Sequence, residues 1–424
     1  MTAQIVSTRQ SEVFVTAAVD VAATVSGSPF TIDWLLRSLH SFDSKFVSII
    51  ENSKVENVTA FNISEGKGYA SKVYKVSISF NNLDKPYEVI LKVPGTDTFN
   101  SDAANSDGSE MVSEDFIFEA HNRECEFYNE YAAHIDIPLV KMYSALKRQK
   151  GVHPGALLME SAVGEADSCA FYCSATKQQA YNVAMHLTTQ YKYFLCLPAE
   201  KWVGRYTENV MTSFLNEEVH GTFLDQLVAM KPGAFEEGLK VFKKIMFSDD
   251  FHRYAMTDVH KDVGLPTVLT HGDMWTNNLM WKKNADGSLS NKLAAIIDWQ
   301  IIHEGCMTND IARYMTLCLD GDIRREIEFD VLRYMFNRIV DLMSEEGRTV
   351  DFTYEQMARA YKMNLISQTL HVMVMIPFIF SENNWTPAEM RLKMAQREKV
   401  LLRTQLALQD AVDYFELIPK NLLC

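Results

Sequence analysis

The sequence predicts an α+β protein with a small β-rich N-terminal lobe and a larger helical C-terminal lobe. Three observations predict this class. Segments with period-two alternation come early in the chain, helical spacing dominates after about residue 175, and residues 267–299 return to short strand-like runs separated by turn residues. The predicted division is an irregular segment 1–30, an N-terminal lobe 31–163 and a C-terminal lobe 164–424.

The first predicted elements are one helix and a pair of strands. "TIDWLLRSLHSF" (31–42) places four apolar residues on one helical face behind Thr31, a favourable N-cap. "KVYKVSISF" (72–80) and "YEVILKV" (87–93) alternate and are joined by the turn residues "NNLDKP", which predicts two antiparallel strands. The acidic, small and polar stretch 94–115 predicts a loop.

The next predicted elements are one helix and two strands, after which most of the chain is predicted to be helical. A helix is expected over 122–135, and strands are expected over 138–146 and 156–161. "NADG" (284–287) predicts a hairpin turn within the later strand-like stretch. The helices expected after the first lobe span 175–197, 205–232, 234–259, 308–319, 322–346, 354–376 and 387–416.

Composition and charge restrict the possible classes of partner. The chain has 424 residues and a formal charge of −14, without a Lys/Arg cluster, so we expect no nucleic acid partner. Seven scattered cysteines and the absence of a signal-peptide pattern predict a cytoplasmic protein with free thiols. The longest apolar run, "HVMVMIPFIF" (371–380), is too short to span a bilayer, and Pro377 predicts that a buried helix breaks nearby. No obligate protein partner is evident.

The stretch "LTHGDMWTNNLMW" (269–281) carries the strongest chemical signal. Asp273 and Asn278 form D-x-x-x-x-N, in which the Asp could take a proton from a substrate hydroxyl and the Asn oxygen could bind Mg²⁺. His271 is expected to brace this loop. Asp298 follows the apolar run "AAII", where a carboxylate is costly to bury unless a cation such as Mg²⁺ accompanies it.

A second group of candidates lies in the N-terminal lobe. Lys92 lies within a predicted strand and Glu124 on the following helix, and such a pair would direct the ammonium towards nucleotide phosphates. Glu126 and Glu130 are alternative partners for that lysine. The turn "EGKG" (65–68) precedes the first of the two strands.

Each of these residues alone also fits a purely structural role. A strand Lys often faces solvent, a helix Glu is usually solvated, and a buried Asp is often part of a salt bridge. Their order along the chain, not any single residue, indicates phosphoryl transfer. A zinc or di-metal hydrolase is the competing chemistry, but it would need more histidines at ligand spacing than His260 and His303 provide.

These residues resemble a known family. "LTHGDMWTNNLMW" followed by "AAIIDWQIIHEGCMTNDIARY" resembles the CHK kinase-like (ecdysteroid kinase-like) proteins, and most closely their nematode branch. That family belongs to the aminoglycoside phosphotransferase and choline kinase group. The resemblance covers most of the chain, and it implies a protein-kinase-like bilobal fold with ATP and Mg²⁺ as cofactors.

The resemblance also implies roles for particular residues. The implied catalytic positions are Asp273 and His271, and the implied metal ligands are Asn278 and Asp298. The implied ATP-binding positions are Lys92, Glu124, Gly66, Gly68, Met159, Glu160, Ser161 and Ala162, of which the last four form a hinge that holds adenine through backbone groups. Asp310, in "NDIARY", is implied to brace the catalytic loop. The stretch "SEGKGYASKVYKV" departs from the pattern, because it is not a full G-x-G-x-x-G.

The expected acceptor is a small molecule. Only eleven residues separate Asp298 from Asp310, which leaves little room for the long activation segment with which protein kinases dock a peptide. The resemblance implies transfer to a hydroxyl of a lipophilic or glycosidic metabolite, such as a steroid or a xenobiotic. Candidate aromatic contacts for the acceptor include Trp202, Tyr206, Phe251, Tyr254 and Trp385, although most aromatic residues on such helices belong to the core. The alternative is a pseudokinase that binds a ligand or partner without turnover.

Overall fold

A computed structural model describes residues 13–64, 71–95, 114–209, 211–212, 215–381 and 385–423. The chain divides into two compact units. The N-terminal unit comprises 1–133 and 140–163, and the C-terminal unit comprises 134–139 and 164–424. Across the described residues, no helix combines the length and apolar composition that crossing a bilayer requires.

Among its described residues, the N-terminal unit has an antiparallel sheet and three α-helices. Its elements are α1 (Ile32–Phe42), α2 (Ser44–Ile50), β1 (Val55–Asn62), β2 (Ser71–Phe80), β3 (Tyr87–Pro94), α3 (Glu114–Glu126), β4 (Met142–Leu146) and β5 (Ala156–Glu160). The strand order is β1-β2-β3-β5-β4, and every neighbouring pair is antiparallel. The strands predicted over 72–80 and 87–93 are confirmed as β2 and β3.

The core of this unit follows directly from the sequence pattern. Thr31 caps α1 by accepting a hydrogen bond from the backbone of Trp34, and α1 buries its apolar face completely. Along β3, Leu91 and Val93 are buried in the same core. Since side chains alternate along a strand, Lys92 must point to the opposite face of the sheet.

The C-terminal unit is mainly helical. Its strands are β6 (Ala166–Asp167), β7 (Val268–Thr270), β8 (Leu279–Lys283), β9 (Leu289–Ile296) and β10 (His303–Gly305). Its helices are α4 (Lys177–Cys196), α5 (Glu217–Met230), α6 (Glu236–Phe242), α7 (Asp249–Arg253), α8 (Val259–Val263), α9 (Asn309–Cys318), α10 (Gly321–Glu345), α11 (Tyr354–Ile379) and α12 (Pro387–Asp413). The hairpin predicted at "NADG" is confirmed, since β8 and β9 pair on either side of it.

Helix packing places the loops between β7 and α9 against the unit's core. The long helices α4 and α10 pack together, as do α9 with α11 and α11 with α12. The two largest fully buried side chains, Trp281 and Trp299, lie in or beside these loops. The loops that carry the candidate chemistry are therefore supported by a dense core.

The predicted helix 205–232 is wrong in its first half. The helix in this region, α5, begins only at Glu217. The buried carboxylate of Glu304 accepts hydrogen bonds from the backbone N–H groups of Gly204, at 2.8 and 3.0 Å, and Tyr206, at 2.8 Å. Because a distant acidic side chain binds these amide groups, local helical spacing does not decide their conformation.

Other predicted boundaries also moved. The helix expected over 234–259 is interrupted, and Ser248 caps a new helix by accepting a hydrogen bond from the backbone of Phe251. The helix expected over 122–135 starts at Glu114 and ends its α-helical part at Glu126. Pro377 lies inside α11, which ends two residues later at Ile379. Most of the predicted loop 94–115 lies outside the described residues.

Candidate active site

The loop after β7 is held by a single buried carboxylate. Asp310, at the start of α9, accepts hydrogen bonds from the backbone N–H groups of His271 and Gly272, both at 2.8 Å. The hydroxyl of Tyr191 donates a third hydrogen bond to Asp310 at 3.0 Å, and burial raises the pKa of that tyrosine well above its usual range. Asp310 therefore fixes the course of the backbone just before Asp273, which is the place the resemblance implied for it.

Gly272 allows the loop to make its close turn. Its φ of +85° lies in the left-handed region, and a Cβ at this position would lie 2.3 Å from the carbonyl oxygen of Ile301. Any side chain here would push the two loops apart. The glycine in H-G-D is therefore required by the backbone geometry.

His271 links the same two loops through its ring. Its Nε2 donates to the carbonyl oxygen of Ile297 at 3.0 Å, while its Nδ1 accepts from the backbone N–H of Asp273 at 3.2 Å. This pattern requires the neutral Nε2–H tautomer. The residue is fully buried, and its ring lies 4.6 Å from that of Trp299. The ring of His271 thus joins the two loops through hydrogen bonds, and its bracing role stays a prediction.

Asp273 and Asn278 contact one another directly. The Asn278 amide nitrogen donates to the backbone oxygen of Asp273 at 2.8 Å and to its carboxylate Oδ2 at 3.0 Å. The amide orientation follows from these two donors, so the Asn278 Oδ1 points away from Asp273. The D-x-x-x-x-N spacing thus brings a carboxylate and an amide oxygen into one small polar cluster.

Arg313, on α9, is the site residue that sequence reasoning missed. Its Nε and Nη2 donate to the Asp273 Oδ1 at 2.8 and 2.5 Å. The guanidinium side chain is 4% exposed and the Asp273 side chain 13% exposed. The available signal was "NDIARY" itself, because Arg313 lies three residues after Asp310 and so shares its helical face.

Asp298 has an unusual backbone conformation. The prediction placed it at the end of a buried strand, but β9 ends at Ile296 and Asp298 has φ +68° and ψ +58° in the left-handed region. Its side chain is only partly buried, so desolvation is weaker than expected from the sequence. The backbone N–H of Ile297 donates to the carbonyl oxygen of Asn278 at 3.0 Å, so the two candidate metal ligands lie in adjacent segments.

The predicted Lys–Glu pair is present in the N-terminal unit. Lys92 Nζ lies 2.7 Å from Glu124 Oε2, and the two side chains are 12% and 2% exposed. Glu126, an alternative partner in the sequence, instead contacts Lys147. An unpaired charge at such a buried place is costly, so the Lys92 ammonium and the Glu124 carboxylate must stay together. The position of each group is therefore strongly constrained.

His121 lies one turn before Glu124 on α3, close enough for the Lys92 ammonium to affect its pKa. Burial lowers the pKa of His121 to about 4, and the nearby Lys92 contributes in the same direction. The carbonyl oxygen of Leu146 lies 2.9 Å from its Nε2. The imidazole is therefore neutral near pH 7 and adds no second cation beside Lys92.

The predicted hinge lies at the end of β5. Met159 and Glu160 pair with β3, and the backbone N–H of Glu160 donates to the carbonyl oxygen of Lys141 at 2.9 Å. Ser161 Oγ accepts from the backbone of Val163 at 3.3 Å, and Ala162 lies between them in sequence. The two predicted glycines, Gly66 and Gly68, lie outside the described residues.

Two further expectations concern metals and aromatic side chains. Within the described part of the chain, no three His, Cys, Asp or Glu side chains gather closely enough to hold a metal by themselves. Of the aromatic residues considered as acceptor contacts, Trp202, Tyr206 and Phe251 are buried in the core. Tyr254 and Trp385 remain partly exposed.

The helices and antiparallel strands of the two units define an α+β protein. The chain belongs to the DUF1679 family, whose model, described as "Uncharacterized oxidoreductase dhs-27", matches residues 50–418. The chain is 28% identical to "Uncharacterized oxidoreductase dhs-27" of Caenorhabditis elegans over 361 residues, which cover 83% of this chain and 42% of that protein. The chain therefore spans less than half the length of this relative.

Two other proteins show weaker similarity. "Uncharacterized kinase-like protein D1044.1" of Caenorhabditis elegans is 21% identical over 332 residues, which cover 76% of this chain and 84% of that protein. A provisionally named aminoglycoside phosphotransferase from Ralstonia eutropha, a solved structure, is 11% identical, with a TM-score of 0.46. That match covers 91% of this chain and 99% of the other.

The relative named as an oxidoreductase is matched over only 42% of its length, so most of that protein has no counterpart in this alignment. A nicotinamide-binding fold needs a parallel sheet and a G-x-G-x-x-G turn. Every pairing between the named strands described here is antiparallel, and the sequence contains no G-x-G-x-x-G. The chemistry of this chain must therefore be inferred from its own residues.

Proposed function

We propose that this chain is an ATP-dependent kinase that transfers the γ-phosphoryl group to a hydroxyl of a small molecule. The observation that carries this proposal is the cluster of Asp273, Asn278 and Asp310. The buried Asp310 fixes the loop, and the loop presents a carboxylate hydrogen-bonded to an amide. Phosphoryl transfer needs mainly this kind of positioning and little covalent chemistry from the protein.

Within the C-terminal unit, Asp273 would accept the proton of the acceptor hydroxyl. Asn278 Oδ1 and the Asp298 carboxylate would hold Mg²⁺. They fit this ion because both are hard oxygen ligands, the Asn278 amide nitrogen is already directed to Asp273, and Asp298 is not sealed in the core. When bound, Mg²⁺ would neutralise charge on the phosphate oxygens.

Within the N-terminal unit, Lys92 would bind the non-transferred phosphates. Glu124 would hold the ammonium in place, as its 2.7 Å contact with Lys92 suggests. The backbone of Met159 to Ala162 would bind adenine, and Gly66 with Gly68 would approach the phosphates. These proposed roles are the ones that the resemblance to CHK kinase-like proteins implies for the same positions.

A small acceptor suits the short segment before α9. From Asp298 the chain passes through one 3₁₀ turn and the short strand β10, and α9 begins at Asn309. A peptide-docking segment would need more chain than this. The relative D1044.1 is named kinase-like, which agrees with the reaction type. We further propose a lipophilic or glycosidic metabolite, steroid- or xenobiotic-like, as the acceptor.

The first experiment would search for the product directly. Purified protein, Mg²⁺ and ATP would be incubated with a deproteinised Caenorhabditis elegans metabolite extract, and mass spectrometry would identify species that gain one phosphoryl group. Asp273→Asn should lower product formation by about 10²–10⁴-fold, because the proton acceptor is lost. Its affinity for Mg·ATP should stay close to that of the wild type.

One outcome would contradict the kinase activity, and another would contradict only the role of Asp273. In the first, the wild-type protein binds Mg·ATP and yet phosphorylates nothing in extract fractions that span polar to lipophilic compounds. That result would support the pseudokinase alternative. Equal product formation by wild type and Asp273→Asn would remove Asp273 as the base.

A further inference from the structure

Helix α11 carries a stripe of buried polar side chains among its buried apolar residues. Asn364, Ser367, Gln368 and His371 are each at most 2% exposed. Their spacing of three, four and seven residues places them on one face of the helix. Buried polar groups are costly unless hydrogen-bonded, so this face must meet polar partners.

Two of those partners, Thr308 and Asn309, lie at the start of α9, close to the catalytic loop. The Asn364 amide nitrogen donates to the carbonyl oxygen of Ala255, and its Oδ1 accepts from the Thr308 hydroxyl, both at 2.5 Å. One turn further along α11, the Gln368 amide nitrogen donates to Asn309 Oδ1 at 3.0 Å. The stripe therefore fixes α11 against the N-terminal turn of α9.

Gln368 also holds Arg313. Because its nitrogen is directed to Asn309, its Oε1 faces the opposite way and accepts from Arg313 Nη1 at 2.9 Å. The remaining edge of the guanidinium, Nε with Nη2, is directed to Asp273. A planar guanidinium held at both edges has little freedom to rotate.

This arrangement distinguishes the two oxygens of Asp273. Among the described residues, Oδ1 accepts both hydrogen bonds from Arg313, whereas Oδ2 accepts one, from Asn278. A carboxylate oxygen offers two lone-pair directions, so Oδ2 retains one for a further donor. The geometry therefore selects one oxygen of Asp273 for the incoming hydroxyl.

We propose that Arg313, held by Gln368, is a positioning residue that orients Asp273 so that Oδ2 receives the acceptor's proton. The inference rests on the proposed kinase function. In the reaction, the hydroxyl oxygen forms the new O–P bond, and its proton moves to Asp273 Oδ2. The bond from the γ-phosphorus to the bridging oxygen breaks, and ADP leaves with that electron pair.

The test compares four variants with the wild type. Arg313→Gln removes the charge, Arg313→Lys keeps it without the planar fork, and Gln368→Met removes the support behind the arginine. Arg338→Gln is the control, because Arg338 is a partly buried arginine of the same unit that contacts the Thr189 hydroxyl. ADP release would be measured with Mg·ATP and the metabolite extract, and thermal unfolding would confirm folding.

Arg313→Gln should lower kcat by about 10- to 100-fold while leaving KM for Mg·ATP within about twofold. Arg313→Lys should recover part of that loss, Gln368→Met should show a smaller loss of the same kind, and Arg338→Gln should match the wild type. In an Asp273→Asn background, Arg313→Gln should cause no further loss, because the arginine acts through that carboxylate.

Two results would overturn the positioning role alone. One is a folded Arg313→Gln or Arg313→Lys protein with wild-type kcat. The other is a loss from Arg313→Gln that stays the same in the Asp273→Asn background, which would indicate a general structural effect. A wild-type protein without Asp273-dependent transfer would instead overturn the proposed function, and the role of Arg313 with it.

Discussion

Each unit contains a well-buried pair of opposite charges among its candidate site residues, and the proposed roles of the two charges are reversed between the pairs. In the N-terminal unit, the working group would be the cation Lys92, and the carboxylate of Glu124 holds it at 2.7 Å. In the C-terminal unit, the working group would be the carboxylate of Asp273, and Arg313 holds it at 2.5 Å. In each case the second charge restrains the first.

The difference lies in how each pair could be found. Glu124 lies on the helix after β3 and is the type of residue that a phosphate-binding lysine requires. Arg313 answers no general requirement of phosphoryl transfer, since a catalytic Asp can be oriented in several ways. The partner of the proposed working cation was therefore predictable from the sequence, whereas the partner of the proposed working carboxylate depends on where α9 packs.

The largest expected effect on stability tests the first pair. Lys92→Met should lower the free energy of unfolding by about 3–5 kcal/mol, because breaking a buried ion pair leaves a charge poorly compensated. Lys92→Met/Glu124→Leu should be more stable than the single variant. Urea denaturation of each protein would measure this.

The matched control for that experiment is the exposed pair in the same unit. Lys147 and Glu126 are also 2.7 Å apart, but their side chains are 46% and 23% exposed. Lys147→Met should therefore cost at most about 1 kcal/mol. Equal losses for Lys92→Met and Lys147→Met would show that burial does not distinguish the two pairs.

A smaller effect is expected at Asp298, where backbone and side chain can be separated. Asn and Gly tolerate its φ of +68°, whereas Asp298→Ala should lose about 1–2 kcal/mol of stability. All three variants should weaken Mg²⁺-dependent ATP binding, measured by calorimetry, because each removes the carboxylate. Asp286→Asn, in the exposed hairpin turn, is the charge control. Retention of Mg²⁺-dependent binding in Asp298→Asn would exclude Asp298 as a metal ligand.

The smallest effect per residue is expected under mild acidification, which compares the two units. Burial lowers the pKa of His186 and His252 to about 4. Among the described residues, the N-terminal unit has one histidine with a lowered pKa, His121. Those of the C-terminal unit are His186, His220, His252, His260 and His371.

The sign of the pH effect follows from proton binding. Between pH 6.5 and 4 the unfolded chain binds more protons than the folded one at these histidines, so stability falls as the pH falls. At pH 6 the loss is about 1 kcal/mol or less per histidine. Hydrogen exchange, corrected for intrinsic rates, should show the C-terminal unit losing protection first. Earlier loss in the N-terminal unit would mean that other groups govern acid sensitivity.

Much of the fold could be predicted because its signals are local. Alternation along β2 and β3, the Thr31 cap and the "NADG" turn each depend on neighbouring residues. The helix predicted from 205 failed because Glu304, about 100 residues away, binds the backbone of Gly204 and Tyr206. No pattern within that segment predicts its contact with Glu304.

The contacts of the candidate site also separate into local ones, which the sequence predicts, and long-range ones, which it does not. By itself, the sequence determined the cluster of Asp273 with Asn278, because a hydrogen bond between residues five apart depends on spacing and one glycine turn. The contact of Arg313 with Asp273, its support by Gln368 and the left-handed conformation of Asp298 were decided only by tertiary structure. The physical reason is that packing of α9 against α11 brings together groups about 40 and 55 residues apart, and no local pattern specifies those distances.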